Sequence, residues 1–352
     1  MTEELEFVED DVVDLEDKTT ELYERYRFVA DKGQSTLRVD KYLSNMLGNN
    51  ISRTRIQDAA DAGFIKVNDE AIKASYKVKP LDTITVSLEY PKEEFYIFPE
   101  EIPLCIFYED DDVLLVNKQP GLCVHPAVGN RSGTLLNALA YYFKDNANFD
   151  ANNPKIGLVH RIDKDTSGLL LVAKTALAKT HISQQFMDKT TERTYNALVW
   201  GVLKDDSGTI TGNIARDTKD RQSFRIYTPE ENPAAKYAVT HYRVLQRFEY
   251  VTLVECKLET GRTHQIRVHF KSIGHPLFND SKYGGSEIIK GNLFAKYKQF
   301  ILNCFEACPR QALHAKTLGF FHPTKQDWLQ FDSELPDDFQ ALLSKWQNYK
   351  KN

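Results

Sequence analysis

GLVHRIDKDTSGLLLVAK, residues Gly157 to Lys174, sets a polar loop, His160 to Gly168, between the apolar runs Leu158-Val159 and Leu169 to Ala173. Short apolar runs bounded by turn residues predict strands, so the loop is expected at the rim of a sheet, where rigid flanks hold a side chain in one direction. Its carboxylates are Asp163 and Asp165. Asp163, Asp165, Ser167 and Gly168 open like a calcium loop, but the twelfth position is Lys174 where a glutamate belongs, and leucines fill later ligand positions. Asp165-Thr166-Ser167-Gly168 is only a faint likeness of an aspartic protease, whose chemistry needs Asp-Thr-Gly or a close variant twice, and Asp-Thr-Gly itself occurs nowhere in the chain. Read by itself, the loop is foremost a surface turn of Asp, Thr, Ser and Gly.

Upstream, Asp112 to Asn117 predicts a short apolar strand ending in a turn at Lys118, Pro120 and Gly121, and Leu135, Leu136, Leu139 and Ala140 lie on helical spacing. Downstream, TGRTHQIRVHFKSIGHP, residues 260 to 276, alternates as a strand, with Ile266, Val268 and Phe270 on one face and Gln265, Arg267 and His269 on the other. From Lys257 to Lys282 there are five bases, two acids and three histidines. A basic strand beside a carboxylate loop is suited to bringing an anionic substrate to an acid.

The whole chain, 352 residues with a formal net charge of -5, argues against nucleic acid at first reading. The charge is unevenly spread. Residues 1 to 30 hold eleven acids against three bases, a net of -8, which leaves +3 on the remainder. This acidic run is expected to be a disordered tail over residues 1–35. With 41% hydrophobic and 27% charged residues, the rest is expected to fold as two domains. No apolar stretch has the length of a membrane span, and the acidic start lacks the regions of a signal peptide, so a cytoplasmic location is expected. The five cysteines are widely spaced and read as reduced thiols; Cys304 and Cys308 are a poor match to a zinc pair, and no metal is expected.

Between Thr36 and Leu88 the pattern is that of a small module. Val39, Tyr42, Leu43, Met46 and Leu47 form a helical stripe, Ile56 and Ala59 continue a second helix, and Ile84, Val86 and Leu88 alternate as a strand. Eight bases against seven acids over residues 36 to 90 do not establish RNA binding by charge. Arg53 and Arg55 do better by position, at the start of the second helix, where backbone N–H groups also face a phosphate.

The segments RVDKYLSNML, SRTRIQDAADAGFIKVN and ASYKVKPLDTITV resemble the small RNA-binding domain first recognised in a small-subunit ribosomal protein. Pro80-Leu81-Asp82 departs from it, since the family commonly has a glycine before the acid. Further on, VNKQPGLCVHP, HRIDKDTSGLLLVAK, ERTYNALVWG, LETGRTHQIRVH and RQALHAKTLGFFHP, in this order, are similar to the RluA/RluD-type pseudouridine synthases of large-subunit ribosomal RNA, closest in layout to the D-type with its N-terminal domain.

The resemblance implies an α+β chain: a two-helix and short-sheet RNA-binding domain at 36–90, a linker at 91–103, and a mixed, largely antiparallel sheet catalytic domain at 104–345. It implies isomerisation of uridine without a cofactor. Asp163 matches the catalytic aspartate, acting as nucleophile toward the sugar carbon or as base at the neighbouring ribose position, and Arg267 matches the arginine that pairs with it. Tyr195 matches the tyrosine that stacks on the flipped base, and Arg161 a residue that enters the RNA in place of the extruded nucleotide. Lys118, Arg262 and Lys316 join Arg53 and Arg55 as candidate RNA contacts, and His160 and His314 read as loop struts. The expected partner is large-subunit ribosomal RNA or a pre-ribosomal particle. The rival is a noncatalytic RNA-binding assembly protein on the same scaffold, against which Asp163, Tyr195 and Arg267 argue together.

Overall fold

The structure is a computed structural model that describes residues 23–47, 53–88, 97–126, 130–146, 149, 151, 157–220, 222–291 and 294–349. It is α+β and divides into two units, Met1–Tyr96 and Ile97–Asn352. In chain order the first contains β1 (Tyr23–Val29), β2 (Leu37–Arg38), α1 (Val39–Met46), α2 (Arg53–Asp61), β3 (Ile65–Val67), β4 (Glu70–Ala71), β5 (Lys77–Val78) and β6 (Thr83–Leu88). The sheet order is β1-β6-β3-β4, with β2 and β5 forming a separate pair. Val39, Tyr42 and Leu43 of α1 and Ile56 and Ala60 of α2 pack on Ile65, Val67, Ile84 and Val86, as the helical and alternating patterns require.

The tail is shorter than expected. Residues 23 to 29 pair antiparallel with β6, setting Phe28 opposite Ile84. Tyr26 and Phe28 turn toward the core while Arg27 and Val29 are exposed, so a two-residue alternation hidden inside the acidic run supplies the strand. The more acidic residues 1–22 lie outside the described residues. Asn68 and Asp69 both have positive φ, as the tight turn between β3 and β4 demands. Leu81 also has a positive φ, 69°, and its side chain is mostly exposed. Leu81→Gly is therefore expected to raise this unit's unfolding free energy by up to about 1 kcal/mol, the left-handed penalty less glycine's entropy. A urea titration that moves the other way refutes the strain.

The second unit contains β7 (Ile106–Glu109), β8 (Val113–Lys118), α3 (Leu135–Tyr142), β9 (Gly157–Leu158), β10 (Ser167–Ala173), α4 (Ala176–Met187), β11 (Glu192–Trp200), β12 (Ser207–Arg216), β13 (Phe224–Tyr227), β14 (Lys236–Arg247), β15 (Val251–Leu258), α5 (Gln265–Ser272), α6 (Ala295–Ala307), β16 (Leu313–Phe321), β17 (Trp328–Asp332) and α7 (Asp337–Gln347). The 11-stranded sheet runs β13-β12-β14-β15-β11-β16-β10-β8-β7, with β17 on β16 and β9 on β10. Among the described residues every strand pairing of this sheet is antiparallel except β10 with β16. Ile97 already belongs to this core, so packing begins inside the segment expected as linker; residues 89–96 lie outside the described residues.

Both faces of the central strands are covered. Tyr195, Ala197 and Val199 of β11 face α3 and α5, whereas Leu198 and Trp200 face α6 and α7. All seven residues of β10 are buried, which explains its unbroken apolar run. The parallel contact sets Ser167 opposite His314 and Gly168 opposite Ala315. Gly168 has φ +114°, and a Cβ there would lie 2.2 Å from the carbonyl oxygen of Ala315. Gly168→Ala must push β16 away from the end of the acid loop. It is expected to cost about 2–4 kcal/mol in chemical denaturation; a cost below the scatter of surface substitutions would contradict this packing.

Candidate active site

The loop between β9 and β10 is tied down from three sides. Below it, the Lys118 ammonium donates to the carbonyls of Gln119, Leu122 and Lys164 at 2.8–2.9 Å. Burial pulls this amine down to about 7, but three acceptors around it favour the charged form. Lys118 is 1% exposed and its three donors are used, which corrects its expected role: no proton is left for a phosphate. From another side Arg310, held by both oxygens of Asp338, donates to the Asp165 carbonyl at 2.9 Å and to Ser167 Oγ at 3.1 Å. His160 Nε2 accepts the Leu171 amide at 2.9 Å, and His314 bridges Ser167 and Ser333. These two histidines are struts.

Asp163 is thereby presented to α5. Residues 265 to 272 form a helix, not the strand expected from their alternation. Gln265 through Phe270 are all buried, so the alternation does not mark a core face and a solvent face. Its polar members are inside because each has its own partner: Gln265 takes Thr260 and Val239, and His269 takes Thr240. Arg267 takes two carboxylates. Nε and Nη2 clamp Asp280 at 2.7 and 2.9 Å, and Nη1 donates to Asp163 Oδ2 at 2.9 Å. The guanidinium also lies over the ring of Tyr283, 4.9 Å from its centroid.

The electrostatics follow from this chain of contacts. Asp280 is fully buried and uses the fork of Arg267, so one edge of the cation remains and points at Asp163. Burial alone would raise Asp163, yet nearby positive charge brings it down to about 2. His264, 3.9 Å away, contributes the largest share of that charge, followed by Arg267. Because burial lowers His264 to about 4, it is charged where Asp163 titrates but neutral at neutral pH, where the Arg267 guanidinium is the cation facing the carboxylate. His264 is oriented by a 2.7 Å contact of Nδ1 with the Tyr283 hydroxyl. The Asp163 side chain is 19% exposed, and among the described residues no donor engages its Oδ1. An ionised, aimed carboxylate with one open oxygen is suited to attack or proton abstraction.

Tyr195 is buried on β11, opposite Cys256 of β15 and Ala315 of β16. Burial raises its phenol, Arg193 opposes this, and the charge of Asp163 adds to the rise, so the phenol keeps its proton. Arg161 is exposed on the same loop. Arg262 donates to the Tyr237 carbonyl at 3.3 Å, and Lys316 pairs with Asp332. In the first unit Arg53 bonds to buried Asp40 at 3.0 Å while remaining half exposed, and the Arg55 side chain lies outside the described residues. Sequence reasoning missed Asp280, Tyr283, His264 and Arg310 as site supports. Arg310 and His264 sit inside the recognised motifs, whereas Asp280, thirteen residues past Arg267, has no local pattern to mark it. Among the described residues no cluster of three or more His, Cys, Asp or Glu is arranged for a metal, and no helix is long and apolar enough to cross a membrane.

Residues 112–272 match a family described as RNA pseudouridylate synthase, and residues 37–84 match the S4 domain. The chain is 44% identical over 323 residues to the uncharacterised RNA pseudouridine synthase YlyB of Bacillus subtilis (strain 168), covering 92% of this chain and 97% of that protein. It is 40% identical over 308 residues to ribosomal large subunit pseudouridine synthase D of Zymomonas mobilis, covering 87% and 92% of the two chains. Among solved structures, human RNA pseudouridylate synthase domain containing 1 aligns with a TM-score of 0.51 at 26% identity, over 70% of this chain and 89% of that one.

Proposed function

The chain belongs to the RNA pseudouridylate synthase family and carries an RNA-binding S4 domain, and from that premise we propose that it isomerises uridines of large-subunit ribosomal RNA in the cytoplasm, with Asp163 as the catalytic carboxylate and no cofactor. The RNA class is that named for the Zymomonas relative. The observation that carries the chemistry is the Asp163–Arg267 contact: one carboxylate oxygen is bound at 2.9 Å and the other is open. In the proposed reaction the bond from the sugar carbon 1′ to uracil N1 breaks, the base turns, and carbon 5 bonds to carbon 1′. Carbon 5 loses a proton and N1 gains one, so nothing is oxidised or reduced. The open oxygen of Asp163 acts on the sugar, and Tyr195 supplies a neutral aromatic face for the extruded base.

Incubation with ribosomal RNA tritiated at carbon 5 of uracil is expected to release label, and RNA with no loss of label would sink the assignment. Exposed Arg161, with Arg262, Arg53, Arg55 and Lys316, is proposed to contact the RNA. Affinity is accordingly expected to fall as salt rises, each phosphate contact adding roughly 0.7–0.9 to the slope of log affinity against log salt. A flat salt dependence would remove these contacts from consideration.

A further inference from the structure

Arg193 is a buried cation with no counter-charge among the described residues. It stands on β11 two residues before Tyr195, on the same face of the strand, and is 8% exposed. Among the described residues no carboxylate pairs with it, and its Nε has no hydrogen-bond partner. The guanidinium carbon lies 5.0 Å from the ring centroid of Phe186. Phe186 stacks in turn on His160, with centroids 4.7 Å apart. Because His160 Nε2 accepts the Leu171 amide, its proton is on Nδ1, and that buried donor is also unpartnered. The ionisable neighbours, His160 and Tyr195, are neutral, so neither balances the charge.

The other edge of Arg193 is open. A Cβ built on exposed Gly261 would lie 3.2 Å from Nη1, so the missing side chain leaves that nitrogen uncovered at the loop before α5. Keeping a full charge buried and unpaired is costly, and a neutral base carbonyl would offset little of that cost. A phosphate oxygen offsets it directly, through charge-assisted bonds in a low-dielectric setting.

We propose that Arg193 is a positioning residue that takes a phosphodiester oxygen of the substrate strand beside the extruded uridine. This rests on the reading of Asp163 and Tyr195 as the nucleoside site. Arg193→Met in the full chain is expected to weaken equilibrium binding of a large-subunit ribosomal RNA transcript about tenfold and to lower the salt slope by roughly 0.7–0.9. Its melting temperature should hold or rise, since an unpaired buried charge has been removed. Gly261→Asp, which sets a carboxylate against Nη1, should reproduce the weaker binding, and Gly261→Asn should do so far less.

Unchanged affinity and salt slope in Arg193→Met overturn the proposal whatever the melting temperature. If that variant does not fold, unchanged binding by Gly261→Asp overturns it instead. Binding is read separately from turnover: wild-type protein that releases no tritium defeats uridine isomerisation, whereas the salt slopes still decide on the phosphate contact.

Discussion

Asp163→Asn leaves a folded protein that binds RNA and releases essentially no tritium from carbon 5 of uridine. The substitution is isosteric. The amide oxygen can still accept the 2.9 Å bond from Arg267 Nη1, so the loop, already fixed by Lys118, Arg310 and His160, has no reason to move. What disappears is the negative charge and the basic, nucleophilic oxygen, and with them the step that either attacks the sugar or removes its proton. Loss of such a group costs about 10³-fold or more in rate, while replacing a charged hydrogen bond with a neutral one costs about 1–2 kcal/mol of stability. The informative comparison is single-turnover release against RNA affinity and melting temperature. Release within tenfold of wild type, with the same affinity, would show that Asp163 is not the catalytic group.

Arg267→Met is expected to be the more damaging change, in two separable ways. First, it strands Asp280, which is fully buried, and breaking a buried pair from one side costs about 3–5 kcal/mol. Second, it alters Asp163. With Arg267 present the carboxyl is held at about 2, below its ordinary value of 3.8, so its ionisation favours the folded state above that ordinary value. That contribution is lost as pH falls toward 2. Without the Arg267 guanidinium, burial is opposed only by the charges of His264 and Arg161, so the carboxyl moves up from its present position. The acid limb of the rate profile should therefore shift to higher pH.

Adding Asp280→Asn to Arg267→Met separates the two effects. The double variant no longer carries the stranded buried carboxylate, so much of the stability should return, but activity and the acid limb should not. Rates measured from pH 4 to 8 beside thermal unfolding decide the matter. A double variant with both stability and wild-type rates restored would mean that Arg267 serves only to neutralise Asp280.

The residues differ in how far their roles could be read from the chain. The loop that holds Asp163 was legible because it and both flanking strands are contiguous, and the unbroken apolar run of β10 announces a buried strand; the role expected of Asp163 came from the resemblance. Arg267 was legible as a partner by resemblance, yet its setting was not. Alternation over Gln265 to Phe270 reads as a strand with one wet face, and the helix instead buries all six residues. Lys118 failed as a phosphate contact for a related reason, because the three carbonyls that consume its protons include one from Lys164, 46 residues away.

By itself, the order of residues determined which local pieces form: the strand–loop–strand around Asp163 and the helical stripe of Val39 and Leu43. Those follow from periodicity and turn chemistry within a few residues. The tertiary structure alone decided how the side chains are held. It set Asp280 against Arg267 so that one edge of the cation faces Asp163, it buried Lys118 as a strut, and it enclosed Arg193 with no carboxylate partner among the described residues. Charge state, direction and access depend on desolvation and on partners far away in the chain, and these arise only when the sheet is assembled.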